Sequence, residues 1–197
     1  MDYTALKVNI EDICEQSFTD EQLAMFTQQA EQKIYNTVQI PALRKNQTGN
    51  LGIGNQYLIY PTDFLYPFSL AVIDGAGNYT YLLNKDVNFI REAYPGPTIT
   101  GPPVHYALFD DTAFILGPTP DAGYGVELHY GYYPQSIVTA GTTWLGDEFD
   151  SALLNGALVE AIRFIKGEPD MVSLYQKMYV DAMALLKNLG DGKMRED

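Results

Sequence analysis

Cysteine, histidine and basic residues are scarce in this sequence of 197 residues. The single cysteine, Cys14, precludes an intramolecular disulfide and leaves too little thiol for a cysteine-based metal site. Lysine and arginine total 12 against 25 aspartates and glutamates, which gives a net charge of −13 without an evident basic face. A phosphate backbone is repelled by such a surface, so the composition argues against tight nucleic-acid binding.

Long apolar runs are also missing. No stretch approaches the roughly 18 apolar residues of a membrane span, and the N-terminus lacks the basic-then-apolar pattern of a signal peptide. We therefore expect a soluble protein that folds inside the cell and has no membrane partner. Its length suits one domain, or one domain with a large insertion.

The stretch from Trp144 to Leu189 carries the signals of a complete αα-hairpin. Acidic and apolar residues at helical spacing predict a helix from about Asp147 to Lys166. Gly167 is expected to end it in the left-handed conformation, and Pro169 to begin a second helix that ends at Gly190. The predicted buried stripe of that second helix is Met171, Leu174, Tyr175, Met178, Ala182, Leu185 and Leu189.

Two further helices are predicted at the N-terminus. Thr4 can cap a short first helix, and a capping box that starts at Thr19 begins the second. The apolar stripe of the second helix is Leu23, Phe26, Ala30, Ile34 and Val38. Because a hairpin cannot bury both flanks alone, we expect these helices to pack on the C-terminal hairpin, with Leu23 and Phe26 close to Leu174 and Met178.

Between residues 41 and 142 the sequence is rich in tyrosine, β-branched residues, glycine and proline. Short apolar runs between turn signals predict an antiparallel β unit, a small sandwich or an open barrel. Turns are expected at Asp74–Asn78 and at Asp110–Asp111, and the glycine-rich stretch 49–54 as a projecting loop. The predicted strands are 57–60, 68–73, 79–83, 87–90, 104–108, 113–116 and 126–130.

Together these elements predict an α+β fold. Two N-terminal helices within 1–40 and the C-terminal hairpin within 143–190 form one discontinuous helical bundle. The antiparallel β sandwich or barrel-like unit, 41–142, is inserted into it. Residues 191–197 follow the last helix stop with mixed charge and little apolar content, so a flexible tail is expected there.

Six short motifs follow one another along the chain: Tyr3–Leu6, Tyr60–Phe64, Gly101–Ala107, Phe114–Pro120, Leu128–Pro134 and Thr142–Asp147. In this order they resemble the head-to-tail adaptor, or connector, proteins of tailed bacteriophages, where Tyr60–Phe64 is like the family's Leu-Pro-x-Asp-Phe. Each motif alone is common, and their order and spacing carry the resemblance. Tyr60 stands where the family usually has an aliphatic residue, and the loop 91–100 is longer than expected.

The resemblance implies a non-enzymatic structural protein of the virion, without a cofactor. Such a protein assembles as a homo-oligomeric ring, usually a dodecamer, at the head-tail junction. Its partners are the portal above and a tail or nozzle protein below, and DNA passes through the channel without specific binding. The protein is made in the cytoplasm of the bacterial host. We expect some of the acidic residues to line the channel, where their carboxylates would repel DNA and keep it from adhering.

Contacts with other chains are predicted at three places. Trp144 is either a hydrophobic staple on the hairpin or an interface anchor. The other two places are a tyrosine-rich strand and the C-terminal tail. In the family the C-terminal segment often reaches the portal or a neighbouring subunit, so the tail is expected to become ordered there. The predicted contact residues are Trp144, Tyr132, Tyr133, Lys193, Met194 and Arg195.

Catalytic and metal-binding constellations are mostly missing from the sequence. His105 and His129 belong to no metal-ligand motif, and we expect satisfied or solvent-facing strand histidines. Asp110 and Asp111 are adjacent, which favours a turn over a catalytic pair. Two alternatives remain open: a glycan-cleaving tail enzyme that uses two carboxylates, and a tail module whose fifteen tyrosines bind carbohydrate.

Overall fold

The structure, a computed structural model, describes residues 1–194, with side chains up to Asp191 in the last helix. The fold is α+β, as predicted. The chain divides into two compact units: a helical unit, built from Met1–Leu43 and from Pro134 onward, and a β unit, Arg44–Tyr133. The second boundary lies nine residues earlier than residue 143, because residues 134–142 belong with the helices.

The described residues form seven α-helices and eight strands. The helices are α1 (Tyr3–Cys14), α2 (Asp20–Thr37), α3 (Val87–Ala93), α4 (Ile137–Ala140), α5 (Trp144–Glu148), α6 (Asp150–Phe164) and α7 (Pro169–Met194). The strands are β1 (Arg44–Asn50), β2 (Tyr57–Ile59), β3 (Phe64–Ile73), β4 (Tyr79–Tyr81), β5 (Leu83–Asn84), β6 (His105–Leu108), β7 (Ala113–Gly117) and β8 (Gly125–Tyr132).

The two N-terminal helices follow the sequence prediction closely. Thr19 and Gln22 form the capping box that begins α2, and the whole predicted stripe of this helix is buried. The cap of α1 was predicted wrongly. Asp2, not Thr4, accepts a hydrogen bond from the backbone N–H of Ala5, at 2.8 Å, because α1 starts two residues earlier than predicted.

The predicted helix from Asp147 to Lys166 is two helices. Phe149 separates α5 from α6 with a non-helical ψ of 47°, and its ring stacks on Trp144 at 6.4 Å between centroids. The left-handed residue after α6 is Lys166, with φ of 55°, rather than Gly167. Pro169 begins α7 as predicted, and α6 and α7 form the expected antiparallel hairpin.

Helix α6 lies at the centre of the helical unit, with α1, α2 and α7 packed against it. Gly156 permits the close approach, because a Cβ there would lie 3.0 Å from Ala30 of α2 and 3.1 Å from Tyr179 of α7. The aromatic ring of Phe26 closes one end of this packing, 5.3 Å from the ring of Phe18 and 5.4 Å from that of Phe164.

Of the predicted stripe of α7, only Ala182 is fully buried, Tyr175 and Leu189 are half-buried, and the other four residues are exposed. Leu174 is 49% exposed and Met178 is 43% exposed, so the α2 stripe packs on α6 instead of on these residues. The buried side of α7 is centred on Ala182, Met183 and Leu186, and the last two lie outside the predicted stripe. The helix also continues past Gly190 to Met194, which corrects the predicted stop.

The β unit is a sandwich of two four-stranded sheets. One sheet has the order β1-β8-β3-β4 and is antiparallel, while the other has the order β2-β7-β6-β5 and includes one parallel pair, β5 with β6. Both sheets contribute to one core, in which Leu70 and Leu128 come from the first sheet and Phe114 and Leu116 from the second. The inward-facing residues alternate along β8, as a half-buried strand requires.

Two elements of the β unit differ from prediction. Residues 87–90 form the start of helix α3 rather than a strand, because the Asp86 carboxylate caps the backbone N–H of Phe89 at 2.8 Å. Residues 44–50, not predicted as a strand, form β1 and pair with β8 along their whole length. The turn at Asp74–Asn78 is confirmed by an N–H to carbonyl hydrogen bond of 3.1 Å.

Candidate functional site

The predicted contact residues of the helical unit are only partly described. Trp144 begins α5, is half-buried and stacks on Phe149, and its role as an interface anchor stays a prediction. Lys193 and Met194 lie in the last turn of α7, so the helix extends into the first residues of the predicted tail. Arg195 lies outside the described residues.

The two predicted contact tyrosines of the β unit also have partners inside that unit. Tyr132 packs against the sandwich core, and the ammonium group of Lys45 lies 4.1 Å from the centroid of its ring. The backbone N–H of Tyr133 donates to the carbonyl of Asp63 at 3.3 Å. Their role as contacts with other chains stays a prediction.

Asp63, from the Tyr60–Phe64 motif, directly precedes β3 and hydrogen-bonds to side chains of β1 and β8. Its carboxylate accepts from the Tyr130 hydroxyl at 2.8 Å and from the Lys45 ammonium at 2.5 Å. Burial raises the pKa of Asp63, but these two hydrogen bonds outweigh burial and the pKa lies below its ordinary value. Burial and the bond to Asp63 raise the pKa of Tyr130 to about 12. The motif therefore fixes the end of the sandwich where β1, β3 and β8 meet.

Glu31 joins elements of the helical unit in a similar way, and no sequence pattern predicts this role. This carboxylate is almost completely buried, and it accepts from the backbone N–H of Ile137 at 2.8 Å and from the hydroxyl of Ser136. Burial raises the pKa of Glu31, and the two hydrogen bonds offset only part of that rise. Glu31 thus links α2 from the N-terminal segment to the start of α4 from the C-terminal segment.

The histidines and the paired aspartates lie in ordinary structural surroundings. The Nδ1 atom of His105 lies 2.9 Å from the Tyr94 hydroxyl, and the ring of His129 packs on Phe68 at 5.2 Å. The carboxylate of Asp110 caps its own turn, where it accepts from the backbone N–H groups of Thr112 and Ala113. Within residues 1–194, no cluster of three or more histidine, cysteine or acidic side chains could hold a metal ion.

A candidate contact surface lies on α7, where large apolar side chains are exposed along one flank. This flank, called the α7 ridge below, consists of Met171, Leu174, Met178 and Leu185. Leu185 is 63% exposed, and the spacing by three, four and seven residues keeps all four side chains on one side of the helix. Large apolar side chains grouped on an exposed flank make it a candidate interaction site.

A second apolar feature lies on the other flank of the same helix. A groove between α7 and the end of α2, called the α7 groove, is lined by Thr37, Tyr179, Val180, Met183, Ala184 and Lys187. The sequence pattern shows the apolar positions of both flanks. The pattern does not show which of these positions α6 covers, and the residues of the α7 ridge were therefore predicted to be buried.

None of the described helices is both long enough and apolar enough to cross a membrane. The family model of the SU10 adaptor protein matches residues 1–197. The chain belongs to the SU10 adaptor family. No curated protein matches the chain. The family is one of phage adaptor proteins with a structural role, in agreement with the resemblance carried by the six motifs.

In this SU10 adaptor chain, the two carboxylates described above are structural, and exposed apolar area lies on α7. Asp63 and Glu31 are satisfied by hydrogen bonds from their own unit, and both hold elements together. The α7 ridge, by contrast, has exposed apolar area with no covering element in the described chain. An adaptor needs such surfaces because its function is to join other proteins.

Proposed function

We propose that this chain is the head-to-tail adaptor of a tailed bacteriophage, and that it assembles as a dodecameric ring between the portal and the tail or nozzle protein. The observation that carries the proposal is the family match over residues 1–197. The mechanism is binding and positioning, so the functional parts are surfaces presented to other chains. In the virion the adaptor extends the portal channel toward the tail.

A ring made from one repeated protomer places a particular demand on that protomer. Each copy must offer two different faces, because a closed ring uses heterologous contacts related by rotation. Stable contacts of this type bury large and partly apolar areas. The exposed apolar flanks of α7 supply area of this kind.

The acidic composition suits a channel that DNA passes without adhering. With a net charge of −13 per chain, a ring carries many carboxylates, and we propose that some of them line the lumen. Phosphates and carboxylates repel each other over a Debye length of about 10 Å at 0.1 M salt. A predominantly basic lumen in the assembled ring would contradict this part of the proposal.

Mixing the full-length chain with the portal of the same phage tests the function. We expect native mass spectrometry to detect a complex in which one portal ring carries one adaptor ring. A portal from an unrelated phage is the control and should leave the chain unbound. If the chain ignores its own portal while binding or cleaving a bacterial glycan, the adaptor proposal is wrong.

A further inference from the structure

We propose that the α7 ridge of one copy packs into the α7 groove of the next copy, so that the α7 helices stand side by side around the ring axis. The inference rests on the proposed function and adds the surface that joins neighbouring protomers. Its occupant is a second copy of this chain.

The positions of the two features around the helix carry the proposal. At about 3.6 residues per turn, the ridge and the groove lie on opposite flanks of α7, roughly 170° apart. The helical core, centred on Ala182 and Leu186, lies between them. A surface that contacts itself would produce a closed dimer, whereas two opposite flanks allow each copy to contact two neighbours by the same rotation.

The side chains on the two flanks differ in size. The ridge presents the long side chains of Met178 and Leu185, one on either side of Asp181. The groove is lined by the small, exposed side chain of Ala184, with Val180 beside it at 54% exposure. Large side chains set against a small-residue groove give the ridges-into-grooves packing of neighbouring helices.

Charge points to the same pairing. Asp181 lies on the ridge flank, and Lys187 lines the groove on the opposite flank. Among the described residues neither side chain has an ion-pair partner in its own chain. When ridge meets groove, the Asp181 carboxylate of one copy faces the Lys187 ammonium of the next, which also disfavours contacts between two ridges or two grooves.

Cysteine cross-linking of the full-length chain tests the contact. In a Cys14→Ser background, the double variant Met178→Cys/Ala184→Cys is treated with a short bis-maleimide, which tolerates a few ångströms of misregister. We expect a ladder of dimers, trimers and higher oligomers, and mostly monomer from each single variant. The matched control replaces the ridge cysteine with Glu21→Cys, an exposed site on α2, and should give no ladder.

Several results would overturn the inference. Dimers from Met178→Cys alone would show that ridge packs against ridge. A double variant that cross-links no better than the Glu21→Cys control would show that neighbours meet elsewhere. A Met178→Cys side chain that becomes protected only when portal is added would assign the ridge to the portal.

Charge exchange provides a second measurement that does not depend on the cross-linking register. We expect Asp181→Lys or Lys187→Asp alone to reduce the yield of oligomers severalfold, and the two together to restore it. Failure of the double exchange to restore the yield would contradict the pairing. A chain that binds portal as a ring but gives no ladder would leave the adaptor function standing and reject only this contact.

Discussion

Replacing Phe26 with alanine lowers the free energy of unfolding of the helical unit by about 3–5 kcal/mol, because the deletion leaves a cavity in a fully packed site. Phe26 is 1% exposed, and its ring contacts those of Phe18 and Phe164. These aromatic contacts join the N-terminal segment to the end of α6. Urea unfolding followed by far-UV circular dichroism measures the loss.

The neighbouring side chain supplies a matched control for Phe26. Met25 precedes it on α2 and is 38% exposed, so Met25→Ala should change the free energy of unfolding by only about 0.5 kcal/mol. A Phe26→Ala cost no greater than that of Met25→Ala would show that the N-terminal helices do not belong to the core of the helical unit.

Replacing Glu31 with alanine is expected to destabilise the helical unit by about 1–3 kcal/mol, because the buried N–H of Ile137 then loses its acceptor. Glu31→Gln should cost less, since its amide oxygen can still accept from that N–H group. Glu21→Ala, an exposed acid on the same helix, serves as the control. Equal stability of Glu31→Ala and Glu21→Ala would contradict the assigned link.

The pH dependence of Glu31 has a definite sign. Its pKa is raised in the folded chain, so the protonated form is favoured by folding, and the associated stability is lost as pH rises through the folded pKa. The stability of the wild type relative to Glu31→Gln should therefore be greatest in mild acid and decline toward neutral pH. An unchanged difference between the two proteins across this range would show that burial does not raise the pKa.

Local signals explain which helices could be predicted. The capping box at Thr19 is a short-range device whose residues hydrogen-bond one another, so α2 was predicted correctly in both its start and its buried stripe. Residues 87–90 were predicted as a strand because Val, Phe and Ile suit one. The Asp86 side chain caps a helix there instead. A single capping aspartate is a weaker sequence signal for a helix start than a capping box.

Strand β1 was missed for a different reason. Its sequence, Arg44–Asn50, is polar, and nearly all of it is exposed at the edge of its sheet. An edge strand pairs through its backbone with β8, which no side-chain pattern reveals. The glycine at position 49 lies within this strand, so the start of the predicted projecting loop is sheet.

The error on α7 has a tertiary cause. Apolar residues occur on more than one flank of this helix, and only the position of α6 decides which flank is buried. Gly190 was predicted as a stop, yet it is buried within the helix. A Cβ there would lie 2.6 Å from the carbonyl oxygen of Gln39, so this glycine serves close packing rather than termination.

The apolar spacing of the α7 ridge was therefore recognised in the sequence, but these residues were predicted to be buried in the core. Met171, Leu174, Met178 and Leu185 have the spacing of a buried stripe, and the structure leaves that stripe exposed. Contact with a neighbouring copy in a ring would remove these apolar side chains from water, as burial in a core does.

Cryo-electron microscopy of the virion at the head-tail junction tests the central claim most directly. We predict that this chain forms a closed ring beneath the portal, with its α7 helices adjacent around the axis and an acidic lumen. Density for this chain at any other place in the particle, such as the end of a tail fibre, would contradict its role as the adaptor.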